Sequence, residues 1–172
     1  MSATNRGTKR RERDAYQTPP EAIDPLIREI AWGSDPQILE PCIGDGHISS
    51  LLILRGVTQR VEWCEISKGR DFLTHDFGGK RFDYAVSNPP FSYSKEFVDR
   101  ALEVANCVIM LLPQSFFGAV CRRDWWRKHP PTAQFILSHR PSFTNDGRTD
   151  SEVYSWVVWD AVGRQKRGWY WI

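Results

Sequence analysis

No stretch constrains the fold more than residues 107–113, Cys-Val-Ile-Met-Leu-Leu-Pro. A strand that is apolar on both faces must be covered on both, as a central strand of a parallel sheet is by its flanking helices. Three shorter runs before it also read as strands: 36–41 (PQILEP), 59–66 (QRVEWCEI) and 82–87 (FDYAVS). Two more follow, 133–138 (AQFILS) and 153–159 (VYSWVVW). Between them lie segments with helical spacing. Ala22, Ile23, Leu26, Ile27 and Ile30 recur along one side of 19–32. The stretch 47–56 reads as a helix closed by Gly56. In 93–105, Phe97, Ala101, Leu102 and Ala105 share a side, and 122–129 suits a short helix. Strands alternating with helices predict an open, mostly parallel α/β sheet. Ligands of such sheets bind beyond the carboxyl ends of the strands. That rule lines up 40–46, Glu65, 88–91 and 113–117 along one rim.

A length of 172 residues suits one domain. No run approaches the ~18–20 apolar residues of a membrane span. The first fourteen residues are polar and basic, unlike a secretory signal. The four cysteines, Cys42, Cys64, Cys107 and Cys121, are widely spaced with no CxxC pair. They predict reduced thiols, no zinc site and a cytoplasmic protein, in the host cytoplasm if a phage encodes it. The net charge of +2 is unevenly spread. The arm 1–14 has five basic residues against two acidic ones, and 116–130 has Arg122, Arg123, Arg127 and Lys128 against Asp124. The tail 164–168 adds Arg164, Lys166 and Arg167. Clustered positive charge suits a polyanion.

The stretch ILEPCIGDGHI, 38–48, ends a strand in Glu40 and crosses Gly44 and Gly46 into a helix. Such a turn lets backbone approach a ligand closely. A dinucleotide site would continue as GxGxxG and present a helix N-terminus to a pyrophosphate. Here the sixth position is Ser49, and the acids Glu40 and Asp45 flank the turn. Carboxylates repel a pyrophosphate and suit a cationic amino acid, which favours S-adenosylmethionine. The second strand ends in Glu65, placed to accept from both hydroxyls of a ribose. Downstream, Asp71 could accept from the amine of an adenine ring while Phe72 packs on it.

The third strand ends in Asn88, Pro89, Pro90 and Phe91. Two prolines stop a strand and stiffen the chain beyond it. An exocyclic amine on a base is a poor nucleophile because its lone pair is delocalised into the ring. Two acceptors aimed at its N–H bonds draw the nitrogen towards tetrahedral geometry and stabilise the positive charge that develops there. The Asn88 side-chain carbonyl and the Pro89 backbone carbonyl are such acceptors, and Phe91 is a stacking face for an unstacked base.

With LEPCIGDG, SNPPFS and the closing HRPSFTNDGRTDSEVYSWVVW, the chain resembles the S-adenosylmethionine-dependent amino-methyltransferases that act on adenine N6 in DNA, particularly small phage-type members. The resemblance covers roughly residues 16–160. It implies a class I methyltransferase (Rossmann-like) open sheet, mostly parallel with a late antiparallel strand. It assigns cofactor contacts to Thr18, Pro19, Glu40, Gly44, Asp45, Glu65, Asp71 and Phe72. The catalytic loop it implies is Asn88, Pro89, Pro90 and Phe91. Phe143 falls about where such enzymes place a second aromatic near the flipped base. His47 departs from the pattern, occupying a first helical position where small residues are common. No target-recognition domain is visible, so the expected organisation is a basic arm, 1–14, and one catalytic domain, 15–172.

A base within a duplex must be flipped out to reach such a pocket. The segment 116–129 interleaves cations with aromatics, so Arg122, Arg123, Trp125, Trp126, Arg127 and Lys128 are candidate substrate contacts. The loop 144–151 and the arms 1–13 and 164–168 are further candidates, although the tryptophans of 116–129 could equally be core. The reading is DNA adenine methylation with relaxed or short-site specificity. Alternatives are adenine in RNA, a protein glutamine, or a non-catalytic module of the same fold.

Overall fold

A computed structural model describes residues 17–143 and 151–172. In chain order the elements are α1 (Pro20–Glu29), β1 (Ile38–Glu40), α2 (His47–Leu54), β2 (Val61–Trp63), β3 (Phe82–Ser87), α3 (Ser94–Val104), β4 (Ala105–Pro113), α4 (Arg123–Lys128), β5 (Ala133–Ile136), β6 (Tyr154–Asp160) and β7 (Gly168–Trp171). The strands form one sheet in the order β2-β1-β3-β4-β6-β5-β7. Only β6 runs against its neighbours; the other pairings are parallel.

β4 lies at the centre and meets the expectation set by its sequence. Cys107, Ile109 and Leu111 point into one apolar layer, and Val108, Met110 and Leu112 into the other. Helices α1 and α2 close the first layer through Ala22, Ile23, Leu26, Ile48 and Leu52. Helix α3 closes the second with Phe97, Val98 and Ala101. Pro20 starts α1 in its first turn, where the missing N–H costs nothing. Helix α3 passes into β4 without a loop, so Ala105 is the first residue of the strand and not the last of the helix.

The structure adds a strand that the sequence pattern does not disclose. β7 pairs in parallel with β5, Phe135 opposite Tyr170, and forms one edge of the sheet. Among the described residues no helix is long and apolar enough to cross a membrane. The four thiols are free; Cys64 and Cys107 are buried and Cys121 is exposed. The basic arm 1–14 and all of the loop 144–151 except Ser151 lie outside the described residues.

Candidate active site

The carboxyl ends of β1, β2 and β3 open onto a cavity of about 1000 Å³. Its wall includes Glu40, Gly44, Glu65, Asp71, Asn88 and Pro90. The glycine turn builds one side. Gly44 and Gly46 take φ of 52° and 81°, left-handed values that an L side chain adopts only under strain. They bring the chain from β1 into α2, whose first residue, His47, faces the cavity with Nδ1 3.3 Å from the Thr18 carbonyl. Thr18 and Asp45 line the cavity too, and Asp45 accepts a hydrogen bond from the Gln17 side chain. Pro19 caps α1 and is not part of the wall, while its neighbour Thr18 is.

Three carboxylates are held differently. Glu40 is 2% exposed and accepts hydrogen bonds from the Ser49 backbone N–H, at 3.0 Å, and from its hydroxyl. Burial outweighs these bonds and pushes its carboxyl up to about 8. Burial also acts against the charged form of Glu65. There, hydrogen bonds from the Ser67 N–H and hydroxyl and from the Gly44 N–H, at 2.9 to 3.1 Å, prevail and hold it below the usual carboxylate range. Glu65 thus stays charged and clamps the glycine turn against the end of β2. Asp71 caps its own turn by accepting from the Leu73 N–H at 3.0 Å. Phe72 is 2% exposed and packs on Phe97, with centroids 5.2 Å apart, while still contributing to the cavity wall.

The chain after β3 forms the opposite side. Asn88 and Pro90 line the cavity, and the Pro90 carbonyl accepts from the Tyr93 N–H at 2.9 Å, turning the chain into α3. Pro89 is buried. Phe91 leans away from this cavity, its ring 5.7 Å from Tyr154 at 35°. Phe143 meets the same Tyr154 edge to face at 4.9 Å. Tyr154 therefore joins the two aromatics expected to flank a flipped base, although the chain separates them by about fifty residues. Sequence reasoning missed both Tyr154 and Ser49. The only hint of Ser49 was its place where a dinucleotide site would carry its third glycine. Among the described residues no cluster of His, Cys, Asp and Glu could hold a metal ion.

Of the substrate contacts expected of 116–129, the two indoles and Arg122 are engaged within the protein. Trp125 is 8% exposed and donates from Nε1 to Asp99 at 2.6 Å. Trp126 stacks between Phe117, at 4.7 Å and 9°, and Trp159, at 6.1 Å and 12°. Trp159 pairs with Val108 near the start of β4, whereas the cavity lies beyond the strand's end. The indoles thus pack over β4 and β6 on the α3 side, from Phe117 beyond the end of β4 down to Trp159. Arg122 donates to the Phe116 and Ser115 carbonyls and lies over the Phe116 ring at 4.4 Å. Arg123 and Arg127 are exposed and pair with Asp124; Lys128 ends α4 on the same outer surface.

No protein-family model matches the chain, and no curated protein matches it by sequence. Solved structures do. A proposed RNA methyltransferase of Pyrococcus horikoshii superposes with a TM-score of 0.66 at 16% identity over 85% of this chain and 86% of its own. A proposed class I S-adenosylmethionine-dependent methyltransferase of Listeria monocytogenes gives 0.64 at 12% identity, over 91% and 65%. The fold is that of a class I methyltransferase. A modification subunit of a proposed type I restriction enzyme from Vibrio vulnificus gives 0.58 at 12% identity over 92% of this chain, which spans 47% of the subunit. At these identities the likeness is one of fold.

Proposed function

We propose that the protein transfers a methyl group from S-adenosylmethionine to the N6 amine of adenine in DNA, with the base flipped out of its strand. One observation carries the reading: Asn88, at the end of β3, lines the same cavity as the glycine turn, Glu40 and Glu65. That wall suits the cofactor. Glu40 would take the cationic amine of its methionine end, the Gly44–Gly46 turn would admit its backbone close by, Glu65 would face the ribose, and Asp71 with Phe72 the adenine. The cofactor supplies an electrophilic methyl group.

The protein's part is to present the acceptor. The Asn88 side-chain carbonyl and the Pro89 backbone carbonyl accept from the two N–H bonds of the target amine, localise its lone pair and stabilise the positive charge that follows. Such a site works by positioning and needs no strong general base. Phe91, half-buried and backed by Tyr154, would offer a face to the extruded base, whereas Phe143, 6% exposed, supports Tyr154 from within the core. DNA is supported by the likeness to a restriction-modification subunit, and the absence of any insertion between Asp71 and Asn88 large enough to read sequence favours relaxed or short-site specificity. RNA is the second reading, favoured by the likeness to the Pyrococcus protein.

Incubation with radiolabelled cofactor and DNA at low salt should yield labelled N6-methyladenine. Asn88→Ala should lower the rate on the order of 100-fold or more while leaving cofactor affinity nearly unchanged. Label appearing only in RNA run alongside would reassign the polymer; label in neither would refute the reading.

A further inference from the structure

β7 exposes two indoles. Trp169 is 72% and Trp171 69% exposed, while Tyr170 between them turns inward and stacks on Phe135 at 5.3 Å. Residues two apart on a strand share a face and stand ~6.6 Å apart along it. The two indoles therefore form a row on the outermost strand. Exposed tryptophan forgoes a large gain from burial, so two on one face of an edge strand mark a contact surface.

The charge beside this row identifies the occupant. The turn leading into β7 carries Arg164, Lys166 and Arg167, with no acid between Gly163 and Trp171. Lys166 is engaged by Glu29 and by the Tyr170 ring, and Arg164 leans towards Asp83 at 3.9 Å. Arg167 makes no ion pair among the described residues. At the other end of the strand the Ser138 N–H binds the Ile172 carbonyl at 2.7 Å, and exposed Arg140, likewise without an ion pair among the described residues, follows two residues later in the chain. Cations at both ends of an aromatic row suit a polyanion that also carries flat rings.

We infer that β7 is a platform for single-stranded nucleic acid, with bases stacking on Trp169 and Trp171 and phosphates held by Arg167 and Arg140. This rests on the reading of the substrate as nucleic acid. β7 runs parallel to β5 and ends on the same side of the sheet as β3, so the platform holds the strand that flanks the target base. Base–aromatic stacking tolerates any sequence. It thereby supplies grip without sequence readout.

The test uses the full-length protein and a labelled oligothymidylate, which contains no adenine and so cannot report on methyl transfer. At low salt the wild type should bind it, with anisotropy rising on addition of protein. Trp169→Ala and Trp171→Ala should each weaken binding about tenfold, and Trp169→Phe with Trp171→Phe should recover most of the loss. Thermal melts verify that each variant is folded. Methylation of an adenine trinucleotide, too short to reach β7, should be equal in wild type and variants. Unchanged oligothymidylate affinity in the double alanine variant overturns the proposal. So does sedimentation showing a dimer that the double variant dissolves. Binding that persists while no polymer is methylated leaves the platform standing and removes the methyl-transfer reading instead.

Discussion

At the scale of single residues, Glu40 couples the site to pH. Its carboxyl is buried and raised to about 8, so near neutrality the unliganded protein holds it mostly protonated. A cationic amine requires the carboxylate, so binding must expel that proton. S-adenosylmethionine affinity, measured by calorimetry, should therefore climb from pH 6 towards about 8, by up to tenfold per pH unit. It should fall again above about 8 as the ligand's own α-amine, near 7.7–8.0, loses its charge. Glu40→Gln should bind weakly and lose the rising limb. The folded protein obeys the same linkage. A carboxyl raised above its unfolded value contributes stability that is complete below the unfolded pKa and is lost as pH rises through about 8. Melts of the unliganded wild type should decline across that interval, and those of Glu40→Gln should decline less. Ser49→Ala, which removes one of the two donors to Glu40, should shift the rising limb to higher pH.

At the scale of elements, α4 shows what composition leaves undetermined. The six-residue helix carries two adjacent indoles and cations at both ends, a composition that fits a nucleic-acid contact and a sealed core equally well. Periodicity over fewer than two turns does not say which ring turns inward; only Asp99 of α3, bonded to Trp125, and Trp159 of β6, stacked on Trp126, decide it. Trp125→Phe should cost about 1–3 kcal/mol through the lost hydrogen bond to Asp99. Differential scanning calorimetry should then find Tm lower by several degrees, with the methylation rate per folded molecule unchanged. β4, β3 and the turn into α2 were legible because their signals are local: an unbroken apolar run, a Pro-Pro stop, two glycines after a strand. Glu40, Glu65 and Asn88 were legible for the same reason, each ending a strand on the rim. Tyr154 was not, because its role depends on the antiparallel pairing that sets the start of β6 beside Pro113. β7 was not, because four residues with one side in solvent carry neither a helical nor a clean alternating pattern.

At the scale of the whole molecule, the sheet order sets a distance between catalysis and grip. From β3, which carries Asn88, to β7 there are four strand-to-strand steps, through β4, β6 and β5. At about 4.8 Å each this is ~19 Å. A stacked strand rises 3.4 Å per nucleotide, so about six nucleotides span the interval. Only one flank of the target adenine can follow the rim towards β7, because the other leaves the pocket on the opposite side, towards β1 and β2. Substrate length should therefore act asymmetrically. In a series of single-stranded oligonucleotides with one adenine, KM should fall steeply as one flank grows to about six nucleotides and then level off. Lengthening the other flank should change it little. kcat should stay constant, because the added contacts are the same in ground and transition states. In the Trp169→Ala and Trp171→Ala double variant the dependence on the long flank should flatten, and raising the salt concentration should flatten it in the wild type as well, since the arginine contacts act by releasing counterions. A KM that falls equally with either flank would mean that the strand does not run from Asn88 to β7.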